Sequence, residues 1–95
     1  MVPYGTSRQT IRCAYGMTVR ALRKRIGLAQ EKLALEAGVD RAYMSGLERG
    51  KHTPTLETVL RFLPHLKVSF PEFAIEFDKN LRRAHREAKK NGPEV

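Results

Sequence analysis

Residues 36–50, EAGVDRAYMSGLERG, constrain the fold more tightly than any other stretch of the chain. Two apolar-periodic segments, QEKLALEA (30–37) and RAYMSGLER (41–49), are separated only by Gly38, Val39 and Asp40. So short a connection joins two helices only as a tight turn. Gly38 can take the left-handed conformation that ends the first helix without the penalty a Cβ brings. Asp40 is a strong N-cap for the second. Ala34 is small, so the backbone of the second helix can come close to the first. Leu33, Ala37, Val39, Met44 and Leu47 then face a common core, with Tyr43 on its flank. A small residue, a glycine, a cap and apolar positions, all in register, make up the pattern of a helix-turn-helix.

The remaining segments also read as helices. In TVRALRKRI, Thr18 is a candidate cap, Val19, Leu22 and Ile26 line one face, and Gly27 stops the run. Arg20, Arg23, Lys24 and Arg25 populate the other faces. Residues 1–16 carry Pro3, Gly5 and Gly16 without a clean period, which predicts an arm with a helical stretch around Thr10–Ala14. After the loop GKHTP, Thr55 caps a helix bearing Leu56, Val59, Leu60 and Leu63. Pro64 predicts a kink or an end there, because a proline inside a helix costs about 3 kcal/mol. Ser69 caps the last helix, and Pro71 is tolerated in its first turn. Phe70, Phe73, Ala74, Phe77, Leu81, Ala84 and Ala88 repeat at helical spacing out to Lys90, and NGP ends it. Glu72, Glu76 and Asp78 come early and the bases late, which complements the helix dipole.

An all-α fold of five helices follows, a helix-turn-helix domain with an extended C-terminal helix. Ninety-five residues suit one small domain. The expected organisation is an N-terminal arm at 1–16, the helix-turn-helix domain at 17–78, and a basic C-terminal helix extension with its tail at 79–95.

Charge narrows the partners. Eighteen Lys and Arg against ten Asp and Glu leave +8 on this small body. Such a surface favours polyanions, nucleic acid first and anionic membrane second. A membrane-surface binder would need a free apolar face, and the bundle uses that face for its core. No apolar run approaches the roughly 20 residues of a membrane span. MVPYGTSRQT lacks the apolar stretch of a signal peptide, and the lone Cys13 fits a reducing compartment, so the expected location is cytoplasmic. His52, His65 and His85 are scattered without ligand spacing, so no metal site is expected. The sequence has no Gly-rich phosphate loop, nucleophile–base pair or two-carboxylate constellation, so neither catalysis nor a cofactor is expected.

The stretch LRKRIGLAQEKLALEAGVDRAYMSGLERGKHTPTLETVLRFL, continued by VSFPEF, resembles the XRE-type, or phage-repressor-like, helix-turn-helix family over residues 17–78. The resemblance implies a five-helix bundle whose third helix enters the major groove of DNA. It also implies a bacterial or phage transcriptional regulator, often a homodimer on a palindromic operator. Gln30 matches the family's glutamine at the start of the second helix, where side chain and backbone N–H meet a phosphate. Arg41, Ala42, Tyr43, Ser45 and Gly46 match the outward and leading positions of the recognition helix. Arg41 is the best single base reader, because its planar fork can bond a guanine edge twice. Arg49 and Lys51 match backbone-phosphate contacts, and Arg23 with Glu48 matches a pair bridging the first and third helices.

Three positions depart from the pattern. Ala29 stands where the family often places a Ser or Thr cap, forfeiting about 1 kcal/mol. Gly46 replaces a side chain that relatives use for reading, which leaves few base contacts. Pro64 interrupts a helix that is usually continuous. The expected function is a sequence-specific DNA-binding regulator, a repressor acting as a homodimer on double-stranded DNA, with a seam around Phe73, Phe77 and Leu81. The alternative is an antitoxin-like interaction module. There the C-terminal helix, within residues 79–95, binds a partner protein, and DNA binding serves autoregulation. The bases Arg82, Arg83, Arg86, Lys89 and Lys90 read as a solvated helix end, with phosphate contact as the other reading.

Overall fold

Five helices and no strand account for the regular structure of residues 6–90, the residues described in this computed structural model; of Lys89 and Lys90 only the backbone is described. They are α1 (Arg8–Arg25), α2 (Gln30–Ala37), α3 (Arg41–Glu48), α4 (Leu56–Leu66) and α5 (Phe70–Lys90). Residues 1–5 of the expected arm, and the expected stop at Asn91, Gly92 and Pro93, lie outside the described residues.

The first helix begins well before Thr18. Ser7 caps it, its hydroxyl accepting the Thr10 N–H at 3.2 Å. Thr18 is therefore not a cap. It stands inside α1, fully buried, where its hydroxyl donates to the Ala14 carbonyl at 2.7 Å and accepts from Asn80 Nδ2 at 3.0 Å. Buried polar groups need partners, and these two residues supply each other's across α1 and α5. Gly16, counted within the expected arm, lies in the same helix. A Cβ there would stand 2.7 Å from the Leu47 carbonyl oxygen and 2.8 Å from that of Glu48. The missing side chain lets α1 cross the end of α3. Residues 8–16 are thus helix rather than arm.

Local signals hold where they act locally. Gly38 takes φ +72°, and the Val39 N–H closes α2 by bonding the Ala34 carbonyl at 3.0 Å. Asp40 Oδ2 accepts the N–H groups of Ala42 and Tyr43 at 3.0 and 3.3 Å. Thr55 caps α4 by accepting the Thr58 N–H at 3.1 Å. Ser69 and Glu72 form a reciprocal capping box: the Ser69 N–H donates to Glu72 at 2.7 Å, and the Glu72 N–H donates to Ser69 Oγ at 3.2 Å. The bond from the Ser69 backbone, then that from its hydroxyl, holds the Glu72 carboxyl below its ordinary pKa.

Pro64 does not end α4, which runs on to Leu66 and stops where Lys67 takes the left-handed φ of +59°. Pro64 and Leu60, four residues before it, both lie on the exposed side of the helix. The N–H that proline lacks would have bonded a carbonyl on that wet side, near the helix end, where its loss is cheapest. Of the four apolar residues read along this helix, Leu56 and Leu60 are 60% and 49% exposed. Val59, Phe62, Leu63 and Leu66 form the inner face instead.

The core joins all five helices through Val19, Leu22, Leu33, Met44, Leu47, Val59, Phe62, Leu66 and Phe73. Outside it, α1 and α5 run antiparallel along their length. Thr6 Oγ1 meets His85 Nδ1 at 3.0 Å at one end, and Arg25 meets Glu76 at 3.1 Å at the other. The Tyr15 and Phe77 rings lie between, 4.5 Å apart. No helix among the described residues is long and apolar enough to cross a membrane.

Candidate nucleic-acid interface

Eight residues make α3 little more than two turns, too short to persist on its own. Its conformation comes from the Asp40 cap and from Met44 and Leu47, both fully buried. Arg41, Ala42, Ser45 and Arg49 then fall on the side away from the core. Arg41, Ala42 and Arg49 are exposed and Ser45 is half-buried. Arg41 Nη1 lies 3.2 Å from Glu31 Oε2 on α2, with both side chains about 70% exposed (74% and 69%). An exposed pair like this contributes at most about 1 kcal/mol and weakens with salt. Arg41 is therefore free to exchange Glu31 for another acceptor.

Glu48 anchors the other end of α3. Arg23 grips its carboxylate with a fork, Nε to Oε2 at 2.7 Å and Nη2 to Oε1 at 2.9 Å. A third arm of the guanidinium, Nη1, donates to the Leu28 carbonyl at 2.8 Å. The side chains of Arg23 and Glu48 are only 11% and 4% exposed. The bonds to Glu48 hold the Arg23 pKa above its ordinary value, overriding the opposing effect of burial. Gln30 Nε2 joins this cluster, donating to Glu48 Oε1 at 3.0 Å. One N–H of the Gln30 amide is thus taken by Glu48, which orients the side chain and leaves the second N–H for another acceptor. No side chain caps α2 at Ala29, so the backbone N–H groups of its first turn lack a side-chain acceptor.

Tyr43 is half-buried, and burial pushes its phenol pKa up. Its ring lies 5.1 Å from that of His52, tilted by 31°. Gly46 was expected among the outward positions, but it is buried, because the His52 imidazole covers it. A Cβ on Gly46 would come within 2.6 Å of His52 Nε2 and 2.8 Å of Cδ2. Arg49 Nε returns to the Ser45 carbonyl at 3.3 Å, and the exposed Lys51 is fixed through its own N–H to the Gly46 carbonyl at 2.8 Å. Gly50 turns the chain between them with φ +77°. Gln9 donates to its carbonyl at 3.4 Å and to Cys13 Sγ at the same distance. The N-terminal turns of α1 thus support the loop that carries Arg49 and Lys51.

The Helix-turn-helix family model matches residues 19–73 of this arrangement. The chain belongs to the helix-turn-helix family. It is similar to the HTH-type transcriptional regulator SlrR of Bacillus subtilis (strain 168), with 38% identity over 58 residues. That match spans 60% of this chain but only 38% of SlrR. It is also similar to the control protein C.BamHI of Bacillus amyloliquefaciens, 34% identical over 68 residues that cover 70% of this chain and 83% of that protein. Among solved structures, the restriction-modification controller protein C.Esp1396I, as a tetramer in complex with its natural 35 base-pair operator, superposes with a TM-score of 0.68. It is 27% identical, over 75% of this chain and 93% of that one.

Two features of this helix-turn-helix unit escaped the sequence reading. The histidines were read only as scattered, yet they occupy three distinct settings. His65 pairs with Glu36 at 2.9 Å, His85 meets Thr6, and His52 lies over Gly46. Gly16 was counted within the arm, and its part in a helix crossing was not read. A lone glycine inside a helical run, with no turn residues beside it, is the signal that points to close backbone approach.

Proposed function

We propose that this helix-turn-helix protein is a sequence-specific DNA-binding transcriptional regulator, a repressor that holds a palindromic operator as a homodimer. The observation that carries the reading is the outer side of α3. Arg41, Ala42, Ser45 and Arg49 stand there on a helix whose other side is sealed by Glu48, Met44 and Leu47. The family membership and the operator complex of the C.Esp1396I controller support duplex DNA as the partner.

In this reading Arg41 leaves Glu31 to bond a base edge, and Ala42 touches a thymine methyl. Tyr43 and Ser45 border that contact. Arg49, Lys51 and the open N-terminus of α2 at Gln30 hold phosphates, with Gln30 acting through its backbone N–H. Phe73 and Leu81 are buried within the subunit (3% and 6% exposed), so they offer little surface to a dimer seam. Leu56, Phe70 and Ala74 line a shallow apolar groove on α4 and α5, with Phe73 and the half-buried Phe77 at its floor, and the exposed members supply the seam. The activity is binding and needs no catalysis, and its place of action is the cytoplasm.

Selection of bound duplexes from a random pool, followed by affinity measurements across salt, tests the reading. Binding is expected to weaken steeply, log K falling by about 0.9 per phosphate neutralised for each unit of log salt. Arg41→Ala is expected to lose about 1–3 kcal/mol on the selected site and much less on random duplex. Salt-independent binding, or none to any duplex, would overturn it.

A further inference from the structure

Gly46 lies in the last turn of α3, where glycine is a poorer helix former than alanine. Its φ is not positive, so no special backbone conformation requires it. What requires it is His52. The imidazole Nε2 lies only 2.6 Å from the point where a Cβ on Gly46 would stand, so the ring rests on the bare backbone of the helix. Gly46 is one turn beyond Ala42 and three residues before Arg49, and what buries it is the loop, through His52 and Lys51, rather than the core cluster. The loop residue therefore adds a side chain to the recognition surface that the helix itself does not provide.

We propose that His52 is a specificity-determining residue that reads a base edge alongside Arg41, taking the place of the missing side chain at position 46. This rests on the DNA-binding reading above. The residue is exposed, although its ring covers Gly46. The Tyr43 ring, 5.1 Å away, flanks it and restricts its orientation. Its ring nitrogens make no hydrogen bond among the described residues. A neutral imidazole offers one donor and one acceptor, and a protonated one offers two donors, so in either form it can donate to a purine N7 or to guanine O6. The neighbouring Lys51 side chain starts on the same side, its Cβ 3.6 Å from the position a Cβ on Gly46 would take. A phosphate held by Lys51 would bring the groove edge against the ring.

The test compares the unsubstituted protein with His52→Ala, Gly46→Ala and the double variant. Affinity is measured on the selected duplex, on its single-base variants and on random duplex, and thermal unfolding is followed in parallel. His52→Ala is expected to weaken the selected site about five-fold or more and to flatten preference at one base position. Binding to random duplex should stay within about two-fold. Gly46→Ala is expected to keep or raise the melting temperature, because alanine favours the helix and the ring can swing aside. It should nevertheless reproduce the loss seen in His52→Ala, and the double variant should be no worse than either single one. Unchanged base preference in His52→Ala overturns the proposal while leaving the DNA-binding reading intact. So does an equal loss on every sequence, which would make His52 a phosphate contact. Failure of the unsubstituted protein to bind any duplex overturns the DNA-binding reading, and this proposal falls with it. If Gly46→Ala were to unfold, the base preference of His52→Ala alone would decide.

Discussion

The α1–α5 pair and the α2–α3 pair are built on different principles. The first comprises helices of 18 and 21 residues, packed antiparallel and joined by the buried Thr18–Asn80 bond, the Tyr15–Phe77 contact and the Arg25–Glu76 bridge. The second comprises two helices of eight residues each, too short to persist in isolation. Their geometry is borrowed. Arg23 on α1 holds α3 through Glu48, and Gly16 on α1 lets the end of α3 come close. The long pair therefore carries the orientation of the short one. The outer side of α3 is left with little structural duty, so its side chains are free to serve recognition.

The contrast would break most visibly at Glu48. Glu48→Ala strands the Arg23 guanidinium and the Gln30 amide with little access to water, and a loss of roughly 3 kcal/mol in denaturant unfolding is expected. A loss under about 1 kcal/mol would show that the apolar core alone orients α3. Next comes Gly16→Ala. The added methyl would press on the carbonyls of Leu47 and Glu48, backbone atoms that cannot swing away. The expected cost is about 1–3 kcal/mol, despite the better helix propensity of alanine. A higher melting temperature would mean that α1 slides off α3 freely.

The smaller effects sharpen the comparison. Asp40→Ala removes the acceptor for two N–H groups of α3 and should cost about 1 kcal/mol, leaving α1 and α5 intact by hydrogen exchange. The smallest concerns Glu72, at the start of the long pair. Its folded-state pKa is depressed, so its contribution is present above the unfolded carboxyl value of about 4.3 and is lost as pH falls through the folded value. The stability gap between the parent and Glu72→Ala should therefore narrow on going from pH 6 to pH 3. A gap constant with pH would show that the carboxylate plays no part in the cap.

The short pair was largely legible because its signals are local. Gly38 and Asp40 act on N–H and carbonyl groups within five residues of themselves, and both do in the fold what their chemistry allows. The outward side of α3 follows from its period once Met44 and Leu47 are known to face in. Gly46 did not follow, because its surroundings depend on where the loop returns His52. The exposure of Leu56 and Leu60 did not follow for a related reason. The apolar residues of α4 form one broad arc with Leu56 and Leu60 toward one edge, and periodicity does not show where along that arc the core contact ends.

By itself the sequence determined that the chain is helical, where α2 and α3 begin and end, and that strong positive charge surrounds a helix-turn-helix. Those properties arise from torsional preferences and caps that reach no further than one turn. The tertiary structure alone decided the roles of Thr18 and Gly16. A threonine serves equally as a cap or as a mid-helix hydroxyl bonded back to the preceding turn, and a glycine serves as a breaker or as a crossing point. Asn80, 62 residues away in the chain, makes Thr18 part of an interior bridge, and the carbonyls of Leu47 and Glu48 make Gly16 a crossing. Burial far along the chain settles such choices, because a polar group removed from water must take whichever partner the packing brings to it.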